Sequence, residues 1–310
     1  MLFSEVADVP KGPKVVAVGS FDGVHLGHQY LLRQALAEAK ALHQPLLVYT
    51  FDPPTKVFTR GEGFLMDLTE KVEALRALGV ELILAVPFNE TCARRPAEEF
   101  LEDLRTLGAS RIYVGEDFRF GRGRGGDPEA LARVAPTRVV PLLALGGEPV
   151  KSSRIRALLQ EGRVEEARHL LGRPYGAYGV VVEGEKLGRR LSFPTANLAV
   201  HPLKVLPPGV YAVEAMGDFG RYKGVANVGT RPTLGGGERR LEVHLLGFAG
   251  ELYGEEVRLL FLKHLRQERR FESLEALKAQ IAQDVAAARA YFGLQGHLSP
   301  VPSPKLELWT

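Results

Sequence analysis

Five short, nearly continuous apolar runs punctuate the first half of the chain: Val15 to Val18, Leu46 to Phe51, Leu82 to Val86, Ile112 to Val114 and Val139 to Leu145. Runs of this kind suit parallel strands buried on both faces. Between them, apolar residues recur at helical spacing. In Tyr30 to Leu42, Leu31, Leu32, Ala35, Leu36 and Ala39 form one stripe. Leu68 to Leu78 predicts a second helix, with Thr69 as N-cap and Gly79 as its stop. Pro96 to Leu107 predicts a third, with Pro near N1 and Gly108 following. A helical stretch from Ser153 to Leu171 closes this half. The strand–helix alternation predicts an α/β domain with an open, doubly wound parallel sheet. In such sheets ligands bind beyond the carboxyl ends of the strands.

The second half has a different rhythm. Gly179 to Glu183, Val210 to Met216, Tyr222 to Val228, Leu241 to Phe248 and Val257 to Leu262 are strand candidates separated by Gly- and Pro-rich turns. Leu241 to Leu245 alternates strictly between apolar and polar. No helical pattern intervenes before about Ser273, which predicts an antiparallel sheet or barrel. One last helix is expected over Ser273 to Phe292, with Leu274, Leu277, Ile281, Val285 and Ala288 at helical spacing. A Pro-rich tail runs from 294 to 310.

Composition narrows the picture. A chain of 310 residues suits two domains. Its 45% hydrophobic and 25% charged residues argue against disorder of the whole chain. A net charge of +3 is too small to predict a nucleic-acid partner. The lone cysteine, Cys92, forms no intrachain disulfide and points to a reducing compartment, the cytoplasm. No apolar run approaches the roughly 20 residues that span a bilayer, so no membrane association is expected. The N-terminus reads as no secretory signal.

The chemistry concentrates first in Gly19-Ser20-Phe21-Asp22-Gly23-Val24-His25-Leu26-Gly27-His28, which follows the first strand and opens the first helix. Glycines allow a sharp turn and close approach to a ligand, and a helix N-terminus offers free N–H groups to a phosphate. His25 and His28, three residues apart, can both face one anion and stabilise charge developing on it. The bland alternative is a helix cap plus a buried histidine. The loop is neither a Walker A motif nor a dinucleotide fingerprint, because neither spacing is present.

His25-Leu26-Gly27-His28 resembles the HxGH signature of nucleotidyltransferases, and GSFDGVHLGHQ resembles one branch, the bacterial bifunctional riboflavin kinase/FAD synthetase family. Further segments match in order: Thr50-Phe51-Asp52-Pro53, Gly115 to Gly121 with Gly126-Asp127, Ser152-Ser153-Arg154-Ile155-Arg156, and Leu171-Gly172-Arg173-Pro174-Tyr175. The resemblance covers about residues 12–292. It implies a nucleotidyltransferase-like, Rossmann-like domain over 1–160, a linker over 161–178, and a riboflavin kinase-like antiparallel Greek-key β-barrel with a terminal helix over 179–293. It also implies adenylyl transfer, in which the FMN phosphate attacks the α-phosphorus of ATP. By motif, His25 and His28 would hold the ATP phosphates, with Gly19, Phe21, Asp22 and Gly27 shaping the nucleotide loop. Ser152, Ser153 and Arg156 would contact the triphosphate as it becomes pyrophosphate. Asp117 would lie near the nucleotide or flavin phosphate, and Phe51, Phe58 and Phe120 would pack on the isoalloxazine ring. Phe51 reads equally as strand core, Phe58 and Phe120 as loop caps, and Asp117 as a turn residue. Pro54-Thr55 departs from the family's His-Pro, and Lys151 stands where a small residue is usual.

Gly188-Arg189-Arg190-Leu191-Ser192-Phe193-Pro194-Thr195-Ala196-Asn197-Leu198 resembles the riboflavin kinase signature, with Ser192 in place of its glycine. In an extended segment Thr195 and Asn197 share a face, and their oxygens suit Mg²⁺. The resemblance implies that both hold Mg²⁺ and ATP phosphates, with Gly188 and Arg189 also at the nucleotide. Asn227 to Thr233 and Leu241 to Leu245 match two further stretches, which makes Glu242 the base that takes the riboflavin hydroxyl proton. A solvated polar face is the plain alternative. Leu234 to Arg240 reads as a flap, and Arg266, Glu268 and Phe271 as flavin-site walls.

The implied function is two-step flavin cofactor synthesis, with ATP as co-substrate, Mg²⁺ as cofactor, and riboflavin, FMN and FAD as substrates and products. Two alternatives stay open: a nucleotidyltransferase acting on another phosphate ester, and a flavin- or RNA-binding module without turnover. A class I tRNA synthetase is disfavoured by chain length. The sequence leaves the subunit number open.

Overall fold

The apolar runs of the first half become strands of one parallel sheet. In the computed structural model, which describes residues 1–183, 193–231 and 238–293, this sheet belongs to a unit comprising Met1–Ser152, and a second unit begins at Ser153. The sheet strands are β1 (Leu2–Phe3), β2 (Lys14–Val18), β3 (Leu46–Asp52), β4 (Leu82–Pro87), β5 (Ala109–Gly115) and β6 (Thr137–Val140). Their order is β1-β4-β3-β2-β5-β6, and every neighbouring pair is parallel. All five residues of β2 are buried: Val15 to Val18 as the apolar run requires, and Lys14 with its ammonium donating to the Gly12 and Leu107 carbonyls. The chain lays down β3 and β4 on one side of β2 and then returns to place β5 on the other. The reversal between β2 and β5 creates a crevice at their carboxyl ends, where open α/β sheets bind ligands.

Helices α1 (Leu26–Ala41), α2 (Thr55–Arg60), α3 (Leu68–Ala77), α4 (Glu90–Arg94), α5 (Ala97–Thr106) and α6 (Pro128–Leu131) complete this unit. Leu31, Leu32, Ala35 and Ala39 of α1 enter one core cluster with Val15, Ala17 and Val48. Phe100, Leu101 and Leu104 of α5 enter another with Val16, Leu47 and Ile112. The sheet is therefore covered on both faces.

Three expectations shift. The run from Val139 to Leu145 is not one strand: β6 ends before Pro141, which cannot donate to a ladder, and β7 (Ala144–Leu145) pairs instead with β8 (Glu148–Pro149) in a small hairpin. The cap of α3 is Asp67 rather than Thr69, because Asp67 accepts from the Glu70 N–H while Glu70 reaches back to the Asp67 N–H. The stretch from Ser153 to Leu171 is two helices, α7 (Ser152–Gln160) and α8 (Val164–Leu171). The chain turns between them at Gly162, with φ +77° and an added Cβ only 3.0 Å from the Tyr211 hydroxyl.

The second unit is a closed barrel of β9 (Tyr175–Val182), β10 (Ala196–Ala199), β11 (Gly209–Gly217), β12 (Gly220–Arg231), β13 (Glu238–Leu245) and β14 (Glu256–Arg266), followed by α9 (Leu274–Tyr291). Its order is β10-β13-β12-β11-β14-β9, and all pairs are antiparallel. Because β14 returns beside β11, the run β14-β11-β12-β13 is a Greek key. Helix α8 and the first residues of β9 both fall within 161–178. Alternation divides the strands: Leu241, Val243 and Leu245 of β13 are buried, with Glu242 and His244 half-buried on the other face. Val210, Ala212 and Val225 pack against Val285 and Ala288 of α9 and its C-cap Phe292. Arg266 grips Asp284 of α9 through two charge-assisted bonds of 2.8 Å, which fixes the helix on the barrel wall.

Candidate active sites

The first site grows from the loop between β2 and α1. Phe21 and Val24 hold φ values of 45° and 38°, a conformation costly for non-glycine residues and most of all for a β-branched one. Both are almost wholly buried, and the loop is tied on several sides. The buried Asp22 carboxylate accepts from the N–H groups of Leu65 (2.8 Å) and Met66 (3.2 Å). Ser152 donates to the Asp22 carbonyl at 2.9 Å. The hydroxyls of Ser20 and Thr55 lie 3.0 Å apart, so the residue that departs from the family's His-Pro pattern touches the loop itself. Thr50 donates to the Ser20 carbonyl at 3.1 Å.

His25 is the N-cap of α1, and its Nδ1 accepts from the His28 N–H at 3.3 Å. An imidazole accepting at Nδ1 carries its proton on Nε2. The two rings stack, with centroids 3.6 Å apart and planes 15° apart, and Phe21 meets His28 edge-on at 5.2 Å. Gly27 permits this: a Cβ there would lie 3.2 Å from the His25 ring and 3.4 Å from the Val150 carbonyl. A Cβ on Gly19 would meet the Phe21 ring at 3.2 Å. The result is a helix N-terminus carrying two parallel imidazoles at the crevice of the sheet, an arrangement suited to an anion.

Asp117 lies across that crevice, in the turn after β5. It is exposed, and Lys151 Nζ stands 3.8 Å from its carboxylate. The aromatic candidates separate. Phe51 is buried against Tyr49 and Phe88. Phe120 is buried against Phe100 and Phe118. Phe58 leans edge-on against Phe88 and is 47% exposed, so it presents an open surface. Ser153 and Arg156 lie on α7 in the second unit, Ser153 exposed and Arg156 buried.

The second site follows one row of the barrel. Asn197 stands opposite Glu242 on β13, Glu242 opposite Asn227 on β12, Asn227 opposite Val210, and Val210 opposite Arg266. Directly opposed residues share a face, so the Asn197, Glu242 and Asn227 side chains line up on the face that carries α9. Glu242 accepts from Arg240 at 3.2 Å. Two residues along, His244 donates from Nδ1 to the Pro194 carbonyl at 2.8 Å, and Phe193 meets its ring edge-on. This contact holds the segment carrying Thr195 against β13. Burial pushes the His244 pKa below its ordinary value, against the pull of the Pro194 carbonyl.

Thr195 is exposed and Asn197 half-buried. A hydroxyl and an amide oxygen are hard donors that fit Mg²⁺. Among the described residues no group of three or more His, Cys, Asp or Glu side chains could hold a metal ion. Gly188 and Arg189 lie outside the described residues, as do Ser192 and 234–237 of the expected flap.

Two family models match the chain: FAD synthetase over residues 9–154 and riboflavin kinase over residues 171–292. A bifunctional riboflavin kinase/FMN adenylyltransferase of Escherichia coli K12 is 38% identical over 300 residues, covering 93% of this chain and 96% of its own length. The chain belongs to the bifunctional riboflavin kinase/FMN adenylyltransferase family. Relatives of the same name from Pseudomonas fluorescens and Bacillus subtilis are 39% and 37% identical, covering 91% and 90% of this chain and 94% and 92% of their own. A crystal structure titled as a macrolide-efflux protein from Streptococcus pneumoniae is 30% identical, with a TM-score of 0.83 over 93% of this chain and 98% of that one. Among the described residues no helix is long and apolar enough to cross a membrane.

Family motifs drew attention to the histidines, Thr195, Asn197 and Glu242. They also marked the stretch that begins at Asn227, but not its place opposite Glu242, which strand register alone reveals; they missed the Ser20–Thr55 contact and Lys71.

Proposed function

We propose that this chain makes both flavin nucleotides: FMN from riboflavin and ATP in the second unit, and FAD from FMN and ATP in the first. In the first reaction the riboflavin 5′-hydroxyl oxygen bonds to the γ-phosphorus, the bond to the β-phosphate bridging oxygen breaks, and ADP leaves. Glu242 accepts the hydroxyl proton. Its position between Asn197 and Asn227 supports this role, since both amides can orient groups beside it. Thr195 and Asn197 would hold Mg²⁺, which would neutralise phosphate charge. Gly188 and Arg189 are assigned to the nucleotide by motif.

In the second reaction an FMN phosphate oxygen bonds to the α-phosphorus of ATP and pyrophosphate leaves. Little covalent work falls to the protein; positioning and charge stabilisation dominate. His25 and His28 hold the phosphates, and the loop of Gly19, Phe21, Asp22 and Gly27 fixes them. Asp22 acts through the loop, because its carboxylate is engaged with Leu65 and Met66. Ser152, Ser153 and Arg156 are assigned to the departing pyrophosphate, and Asp117 to the nucleotide or flavin phosphate. Phe58 offers the flavin an open face, with Phe51 and Phe120 as the buried aromatic backing. The lone cysteine supports a reducing cytoplasmic setting.

The stacked imidazole pair at the start of α1, at the reversal of the sheet, carries the adenylyl-transfer reading. Incubation with riboflavin, ATP and Mg²⁺ followed by chromatography tests the whole: FMN and then FAD are expected, and production of neither would reject it.

A further inference from the structure

Lys71 lies on α3 and has no exposed surface at all. A lysine without solvent is costly unless its ammonium is satisfied. Here Nζ donates to the Phe51 carbonyl at 2.8 Å and faces the Thr50 hydroxyl at 3.4 Å. Thr50 in turn donates to the Ser20 carbonyl at 3.1 Å. One chain of hydrogen bonds thus runs from α3 through the end of β3 into the loop that carries the histidines.

Three carboxylates act on the same ammonium: Asp22 from the loop, Asp52 at the end of β3, and Asp67 at the cap of α3. Its helical neighbour Glu70 is engaged with the Asp67 N–H. Lys71 is the positive charge set among three negative ones, beneath a site that has to receive a polyphosphate. Without it, Asp22 would sit among like charges in a loop already held in a strained conformation.

We propose that Lys71 is a positioning residue for adenylyl transfer, its buried ammonium locking the end of β3 to the Ser20–Asp22 segment so that the paired imidazoles meet the phosphates. The inference rests on the reading that places FAD formation at the His25–His28 loop. Burial pushes the Lys71 pKa down to about 8, against the pull of the three carboxylates. The charge is present below that pH and lost above it, so FAD formation falls as pH rises through about 8.

The test measures FAD formed from FMN, ATP and Mg²⁺ between pH 6.5 and about 10, the upper end set by the ordinary lysine range, for the full-length parent, Lys71→Met, Lys71→Arg and His28→Ala. The parent is expected to show an alkaline limb in kcat, falling by about one decade per pH unit. Lys71→Met, with no charge, loses about 100-fold in kcat at pH 7. Lys71→Arg keeps its charge throughout and moves the limb to higher pH. A Lys71→Met kcat within about threefold of the parent, well short of the loss that misplacement brings, would overturn the inference. So would an alkaline limb left in place by Lys71→Arg, or a parent without one; these arms decide the matter if Lys71→Met fails to fold. His28→Ala separates the two ideas: if it keeps full FAD formation, the location of the reaction is wrong, whereas an inactive His28→Ala beside an active Lys71→Met sinks only the role of the lysine.

Discussion

Asn197 and Glu242 are direct cross-strand partners, one on the short β10 and the other on β13, and Asn227 flanks the same carboxylate from β12. Strand register thus sets this carboxylate in a row with two amides on the barrel face that carries α9, and Arg240 donates to it at 3.2 Å. That geometry suits a base that must find a hydroxyl without searching for it.

Glu242→Gln keeps the shape and hydrogen bonding of the side chain but removes the proton acceptor. FMN formation is expected to drop by about 10²- to 10⁴-fold, while FAD formation from supplied FMN persists. Separate assays from riboflavin and from FMN decide it. Equal loss in both would mean that Glu242 supports the fold rather than the reaction.

His28→Ala gives the mirror image. The lost imidazole removes a charge-stabilising partner, so FAD formation should fall by about 100-fold or more, with riboflavin phosphorylation retained. A variant that still makes FAD at the parent rate would place the phosphates elsewhere.

Asp284→Ala leaves Arg266, itself largely buried, without its carboxylate. Breaking a buried pair from one side costs about 3 kcal/mol or more. Urea unfolding of the second unit should shift to lower denaturant by a corresponding amount, with little change in the first unit's transition. A shift under about 0.5 kcal/mol, the range of ordinary surface substitutions, would show that α9 is held by its apolar face alone.

His244 supplies a pH dependence with a definite sign. Its pKa is lowered by burial from the ordinary 6.5, with Arg289 adding to the effect and the Pro194 carbonyl opposing it. The unfolded chain therefore binds a proton first as pH falls. Stability from this group is complete above about 6.5 and declines as pH drops toward the folded value. Acid titration of the second unit's thermal transition should show a slope that His244→Gln removes. An identical slope in that variant would assign it to other groups.

The strands of the first half could be read from the sequence because each is apolar on both faces, a pattern that few other structures produce. The short helices α2 and α4 could not, since one or two turns carry no complete apolar stripe. Leu241 to Leu245 announced a two-faced strand, yet its partners Asn197 and Asn227 depend on register, which no local pattern encodes. Lys71 sits in a helical segment where a lysine reads as a solvated position; only the placement of α3 beside the end of β3 buries it. Phe51, Phe58 and Phe120 look alike in sequence, yet Phe51 on β3 and Phe120 against Phe100 are buried while Phe58 on α2 is 47% exposed, a difference that comes from tertiary placement.

Closure of the barrel has a consequence for how this chain behaves in crowded solution. With β9 paired to both β10 and β14, each of the six strands has a neighbour on either side, so none offers a bare ladder to a foreign strand. The parallel sheet does have two borders, but β1 is two residues long and β6 runs into Pro141. Among the described residues both borders of that sheet are short or abruptly ended, so barrel and parallel sheet alike offer little bare ladder for strand addition.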